Sequence, residues 1–147
     1  MEERFFYFAY GSNMNTHQLK DRIGDFGKGK KVILMGYDLR FNKRGKDGSG
    51  KANILLSPGS VIEGVIFNVS KSQVDKLDKH EAGYHRKKIS LLLHDKKIRA
   101  ITYIADIDKI CENLLPHKDY ADTIIKGAEY FGLFKSYIDE LKNLKTK

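Results

Sequence analysis

The chain has 147 residues and a mass of 16.9 kDa, with 41% hydrophobic and 31% charged residues, which is the size and balance of one globular domain, residues 1–147, able to bury a core. Lys plus Arg number 27 against 19 for Asp plus Glu, and the resulting net charge of +8 favours anionic partners without choosing among nucleic acid, membranes and small acids. The single cysteine, Cys111, excludes an intramolecular disulfide and a Cys-based zinc cage, and the first apolar run, Phe5 to Ala9, is too short for a signal peptide or membrane span. The expectation is therefore a reducing, cytoplasmic setting, with no membrane partner and with Cys111 an inert, partly buried thiol.

Phe5-Phe6-Tyr7-Phe8-Ala9 reads as a buried strand, ending in the turn formers Tyr10-Gly11-Ser12-Asn13. Asn13 or Asn15 is placed to cap a short helix running to about Ile23. Gly24, Gly27 and Gly29 break the chain, and Lys31 to Phe41 reads as a strand. Asn42 to Lys51 is Gly-rich and basic, a mobile hairpin loop by composition. Ala52 to Leu56 and the β-branched Val61 to Val69 read as strands about a turn at Ser57-Pro58-Gly59-Ser60. Ser70 with Gln73 forms a capping-box pair opening a helix through Leu77. Tyr84 to His94 and Ile98 to Ala105 form a hairpin about Asp95-Lys96-Lys97. The tail is helical over Tyr120 to Tyr130, breaks at Gly132, and is helical again over Lys135 to Leu144. About six strands with few helices predict an α+β fold, and hairpin-joined strands of this kind can close into a small barrel.

Several motifs fail on inspection. Gly45 to Lys51 reads G-x-x-x-x-G-K, but Ala52 stands where a phosphate loop needs Ser or Thr, and a strand follows instead of a helix. His80-Glu81 opens an H-E-x-x-H pattern whose second histidine position holds Tyr84. The five histidines, His17, His80, His85, His94 and His117, lack ligand spacing, so no metal site is expected. No G-x-S-x-G elbow exists for a serine nucleophile. Basic runs at Lys28 to Lys31, Lys43-Arg44 and Arg86 to Lys88 read as solvated surface, and no nucleic-acid partner is expected.

One segment carries chemistry. In Tyr7 to Asn13 a strand runs into a tight turn that opens a helix. Backbone N–H groups there, with the Ser12 hydroxyl, form a natural carboxylate cradle. Tyr10-Gly11-Ser12-Asn13 after an aromatic strand resembles the signature of the γ-glutamyl cyclotransferase-like superfamily. The resemblance continues in order through Ser57-Pro58-Gly59, Gly64-Val65-Ile66-Phe67, and Leu77-Asp78-Lys79-His80-Glu81 followed by Tyr84. Its C-terminal part is Tyr120, Gly127-Ala128, Gly132-Leu133 and Tyr137, so nearly the whole chain is covered.

This resemblance implies a small mixed β-barrel flanked by short helices. It implies Glu81 as the catalytic acid/base, with Tyr7, Tyr10, Gly11, Ser12, Asn13 and Tyr120 binding substrate. It implies an enzyme that needs no cofactor and cyclises a γ-glutamyl group to 5-oxoproline, releasing an amino acid or amine. Asn13 resembles the γ-glutamyl-amino-acid branch, whereas the glutathione-specific and γ-glutamylamine branches tend toward Leu. Two departures stand out. The glycine that usually follows the catalytic Glu is shifted by one, to Ala82-Gly83, and Phe134 replaces the proline after Gly-Leu. The competing expectations are a non-enzymatic binding module on the same fold and a basic nucleic-acid binder. Neither the leaving group nor the oligomeric state is readable from the sequence.

Overall fold

The computed structural model describes residues 2–147. Five strands close into a barrel: β1 (Arg4–Ala9), β2 (Lys30–Arg44), β3 (Gly50–Ser70), β4 (Tyr84–Leu93) and β5 (Lys96–Ala105), in the order β1-β3-β2-β4-β5. Neighbours are antiparallel except β1 and β5, which run parallel where Tyr7 meets Ile101. Helices α1 (Thr16–Ile23), α2 (Lys71–His80), α3 (Lys118–Phe131) and α4 (Lys135–Lys142) flank it. The fold is thus a mixed α+β barrel, with five strands where about six were read. No helix among the described residues is long and apolar enough to cross a membrane.

The strand count differs because the turn at Ser57 to Ser60 does not end a strand. Met35 faces Val61 and Tyr37 faces Leu56, so Ser57, Pro58, Gly59 and Ser60 stand opposite Gly36 alone. They leave the ladder as a bulge, and β3 resumes its pairing beyond them. The basic loop is also shorter than composition implied. Pairing runs on to Arg44 and Gly50, and the tip closes through Gly45 N–H to Ser49 O at 2.8 Å. Asp47 Oδ1 accepts from the Ser49 N–H and hydroxyl, which orders the tip.

The first strand is buried only in its second half. Tyr7, Phe8 and Ala9 are buried, whereas Phe6 is 37% exposed. The strand β5 joins β1 only at Tyr7, so the residues before it have no neighbour on that side. Among the helix caps, Asn15 rather than Asn13 closes α1, its Oδ1 accepting from Gln18 N–H at 3.3 Å. Ser70 and Gln73 form the reciprocal capping box on α2. That helix continues past Leu77 to His80, which makes Glu81 its C-cap. The β4–β5 hairpin turns through His94 and Asp95, both at positive φ, as a two-residue turn with matching twist demands.

Gly127 explains how α3 reaches the barrel. A Cβ there would lie 2.5 Å from the Met14 carbonyl carbon and 2.7 Å from Asn15 N. The bare backbone lets α3 press directly onto the turn that follows β1. The core beneath is continuous, with Phe8, Met14, Leu19, Phe67, Leu77 and Ile124 fully buried.

Candidate active site

A cavity of about 700 Å³ opens between the end of β1, the start of α1, the β2–β3 hairpin, the end of α2 and the start of α3. Tyr7, Tyr10, Gly11, Ser12, Asn13, Glu81 and Tyr120 all line it. Residues far apart in sequence therefore share one chamber. The Tyr10 hydroxyl is spent on structure, donating to Tyr103 O at 2.6 Å.

The order of the site starts in α1. Gln18 Nε2 and Arg22 Nη1 each donate to Asn13 Oδ1 at 3.0 Å. With its oxygen committed, the Asn13 amide must present its nitrogen to the other side. Asn13 Nδ2 donates there to Tyr7 Oη at 3.0 Å and to Glu81 Oε1 at 3.3 Å. Gln18 Nε2 also donates to Ser12 Oγ at 2.8 Å, which leaves the Ser12 proton free to donate elsewhere.

Glu81 is partly exposed, and its carboxylate faces the cavity. Burial among the surrounding tyrosines raises its pKa from the usual carboxylate value to about 7, against the pull of Arg22 and Lys43 and with help from Asp78. Its backbone is set by a turn in which Tyr84 N–H donates to Glu81 O at 3.0 Å. Gly83 sits at the third position of that turn with φ +84°, where a type II turn demands glycine. The displaced glycine of the sequence is thus placed where this turn requires it. Just before Glu81, Asp78 anchors the helix end. It accepts from Tyr103 Oη at 2.6 Å and is paired with Arg86.

The opposite wall is aromatic. Tyr120 Oη accepts from Ala52 N–H at 2.9 Å, and Tyr84 Oη donates to Ala52 O at 2.7 Å. Burial pushes the pKa of Tyr7, Tyr84 and Tyr120 upward, so their phenols stay neutral. Lys43 and Lys51 lie over the Tyr84 and Tyr120 rings, at 5.0 and 4.3 Å from the ring centres. Gln18, Arg22, Lys43, Lys51 and Tyr84 were not among the site residues read from the sequence. Only the first two carried a usable signal. They stand four apart on one face of α1, about 100° round the helix from its buried Leu19 and Ile23.

A carboxylate poised near neutrality, tied to a polar turn by one amide and open to a chamber walled by neutral tyrosines, belongs to an enzyme that moves protons on a small polar molecule. Comparison with known proteins narrows the class. The family model for gamma-glutamyl cyclotransferase, AIG2-like, matches residues 7–122. The gamma-glutamylcyclotransferase of Homo sapiens is 30% identical over 152 residues, spanning 98% of this chain and 80% of that one. That of Mus musculus is 30% identical over 151 residues, at 97% and 80%. A solved structure of a gamma-glutamyl cyclotransferase superposes with a TM-score of 0.89 at 27% identity, covering 99% of this chain and 90% of that one. The chain belongs to the γ-glutamyl cyclotransferase, AIG2-like family, and it is a γ-glutamyl cyclotransferase-like enzyme.

Proposed function

We propose that this protein cyclises the γ-glutamyl group of a small γ-glutamyl-amino acid to 5-oxoproline, with Glu81 as general acid/base. The observation that carries the reading is the Glu81 carboxylate, which lines the same cavity as the Tyr7 to Asn13 turn and is tied to it by Asn13 Nδ2 at 3.3 Å, while burial raises its pKa to about 7. In this reaction the substrate's α-amine attacks its own γ-carbonyl carbon. A ring C–N bond forms, the amide C–N bond breaks, and the amino acid leaves. The nucleophile belongs to the substrate, so no serine or cysteine nucleophile is needed, and the absence of such motifs from the sequence costs nothing.

Folding the substrate back on itself is an entropic problem, and a shaped chamber with fixed donors addresses it. Glu81 takes a proton from the α-ammonium and later delivers one to the departing nitrogen. A base with pKa near 7 suits both halves of that exchange. The Gly11 and Ser12 N–H groups with the Ser12 hydroxyl hold the glutamyl carboxylate, and Tyr7, Tyr10, Asn13 and Tyr120 shape the walls. Negative charge on the γ-carbonyl oxygen is met by donors of the same turn. The reading uses residues 1–147 as one domain acting without a cofactor or nucleic acid, and the unpaired Cys111 is consistent with a reducing cytoplasm.

The test is release of 5-oxoproline from a panel of γ-glutamyl-amino acids by the wild type and by Glu81→Gln. Turnover by the wild type with loss of at least about a hundredfold in the variant supports the reading. Equal activity in the two proteins removes Glu81 from the mechanism.

A further inference from the structure

We propose that Lys43 and Lys51 together form a carboxylate subsite that binds the α-carboxylate of the leaving amino acid. The two lysines are directly opposite one another in the β2–β3 ladder and so project from the same face. Like charges directly opposite across strands repel, and such a pair costs stability unless an anion lies between them. Both side chains line the cavity. Neither takes part in any ion pair or hydrogen bond among the described residues.

Lys43 is the more telling of the two. It is only 9% exposed, a level at which lysine is rare without a partner. A β-bulge between Arg40 and Lys43 re-aims it, since three β2 steps there match two on β3. Gly83 makes room for its stem, because a Cβ at that position would lie 2.7 Å from Lys43 Cε. Burial lowers its pKa. Lys109 and Lys51 act in the same direction, and Glu81 and Asp106 oppose them. The nearest carboxylate to Lys51 along the hairpin, Asp47, is already held by Ser49 and His117. Two ammonium groups, each braced on a tyrosine ring and neither in direct contact with a protein carboxylate, fit one substrate carboxylate between them.

The subsite rests on the cyclotransferase reading for its ligand. The leaving end is assigned because the Gly11-Ser12 turn already serves the glutamyl carboxylate. The probes are γ-glutamylalanine and γ-glutamylethylamine, which differ only by that leaving-group carboxylate. Turnover and calorimetric binding are measured for the wild type, Lys43→Met, Lys43→Arg and Lys51→Met, with thermal melts to show that each folds. The wild type should favour γ-glutamylalanine by about tenfold or more, chiefly through KM, as expected for a charged contact. Each Met variant should bring the ratio toward unity, and Lys43→Arg should keep most of it. If Lys43→Met does not fold, the partly exposed Lys51 carries the same test. A wild-type ratio near unity overturns the proposal. So does an equal loss on both probes, which would place the lysines at the glutamyl end. If neither probe is turned over, the reaction assigned above fails, while the calorimetric ratio and its dependence on the lysines still decide the subsite.

Discussion

Asn13 Nδ2 donates to Glu81 Oε1 at 3.3 Å, joining the turn after β1 to the cap of α2. The amide is held in that orientation by Arg22 and Gln18 on its oxygen. The guanidinium charge is therefore relayed to the carboxylate through a neutral group. Replacing Asn13 with Leu leaves Arg22 facing an apolar side chain and removes a donor to the ionised form of Glu81. A hydrogen bond to a charged group is worth about 1.5–3 kcal/mol, so kcat should fall roughly tenfold to a hundredfold. Losing the donor also disfavours the carboxylate, so the acid limb of the rate profile should move to higher pH. Steady-state rates across pH 5–9, roughly spanning the Glu81 transition, measure both effects. An unchanged profile would show that Asn13 does not act through Glu81.

The raised pKa of Glu81 also has a signature in stability. Between the ordinary carboxylate value of 4.5 and about 7, the folded protein holds a proton that the unfolded chain has released. Folding therefore weakens as pH rises through that window, by up to about 3 kcal/mol, and the loss is complete above it. Asp78 behaves oppositely. The Arg86 hydrogen bond, aided by Tyr103, lowers its pKa against the cost of burial, so its contribution is present above the ordinary aspartate range and is lost as pH falls below it. The two effects occupy different windows. Thermal melts of the wild type should show Tm falling from pH 5 to pH 8, roughly the Glu81 window, and Glu81→Gln should flatten that slope. Over the same range kcat/KM should rise as Glu81 ionises, with a midpoint near 7 in the free enzyme. A Glu81→Gln protein with the wild-type slope would place the titration elsewhere.

Gly83 supports Glu81 and Lys43 at once. Its φ of +84° closes the turn after the carboxylate, and its missing side chain admits the Lys43 stem. Gly83→Ala should cost about 1–3 kcal/mol from the left-handed backbone alone. Displacement of Lys43 should add a rise in KM for carboxylate-bearing substrates that the stability loss does not explain. Denaturation and steady-state kinetics on the same preparation separate the two. Loss of stability with KM unchanged would confine Gly83 to a backbone role.

The legibility of this site follows the range of the interactions that build it. The turn Tyr10 to Asn13, the Ser70–Gln73 capping box and the glycine break at Gly132 are local, and each could be read from adjacent residues. Glu81 could be marked only through the resemblance, because burial by distant tyrosines is what distinguishes it from any other helix-end carboxylate. The continuity of β3 was hidden because Ser57-Pro58-Gly59-Ser60 has the composition of a turn, and only pairing with β2 shows that the strand resumes. Lys43 was hidden for a related reason. A bulge changes which face a residue takes, and no alternation rule predicts where the ladder slips. Its basic neighbours then made it look like one more surface lysine.

The last prediction concerns the helix that carries Tyr120. At Gly127, α3 touches the backbone of Met14 and Asn15 with no side chain between. That contact sets the distance from Tyr120 to the turn that bears Ser12 and Asn13. Both neighbours named there include backbone atoms, which cannot swing aside as a flexible side chain would. Gly127→Val must push α3 outward, and overpacking of this kind costs about 1–3 kcal/mol. The gain in helix propensity over glycine returns less than about 1 kcal/mol, so the net effect is destabilising. As α3 moves, the Ala52 N–H loses its Tyr120 Oη acceptor and the cavity wall opens. KM should therefore rise together with the loss of Tm. Tyr120→Phe removes the same acceptor without moving the helix and should raise KM with a smaller fall in Tm, of about 1 kcal/mol in stability. Comparing the two variants by calorimetry and steady-state kinetics separates helix position from hydroxyl chemistry. Equal Tm values for Gly127→Val and the wild type would show that α3 does not depend on this close approach.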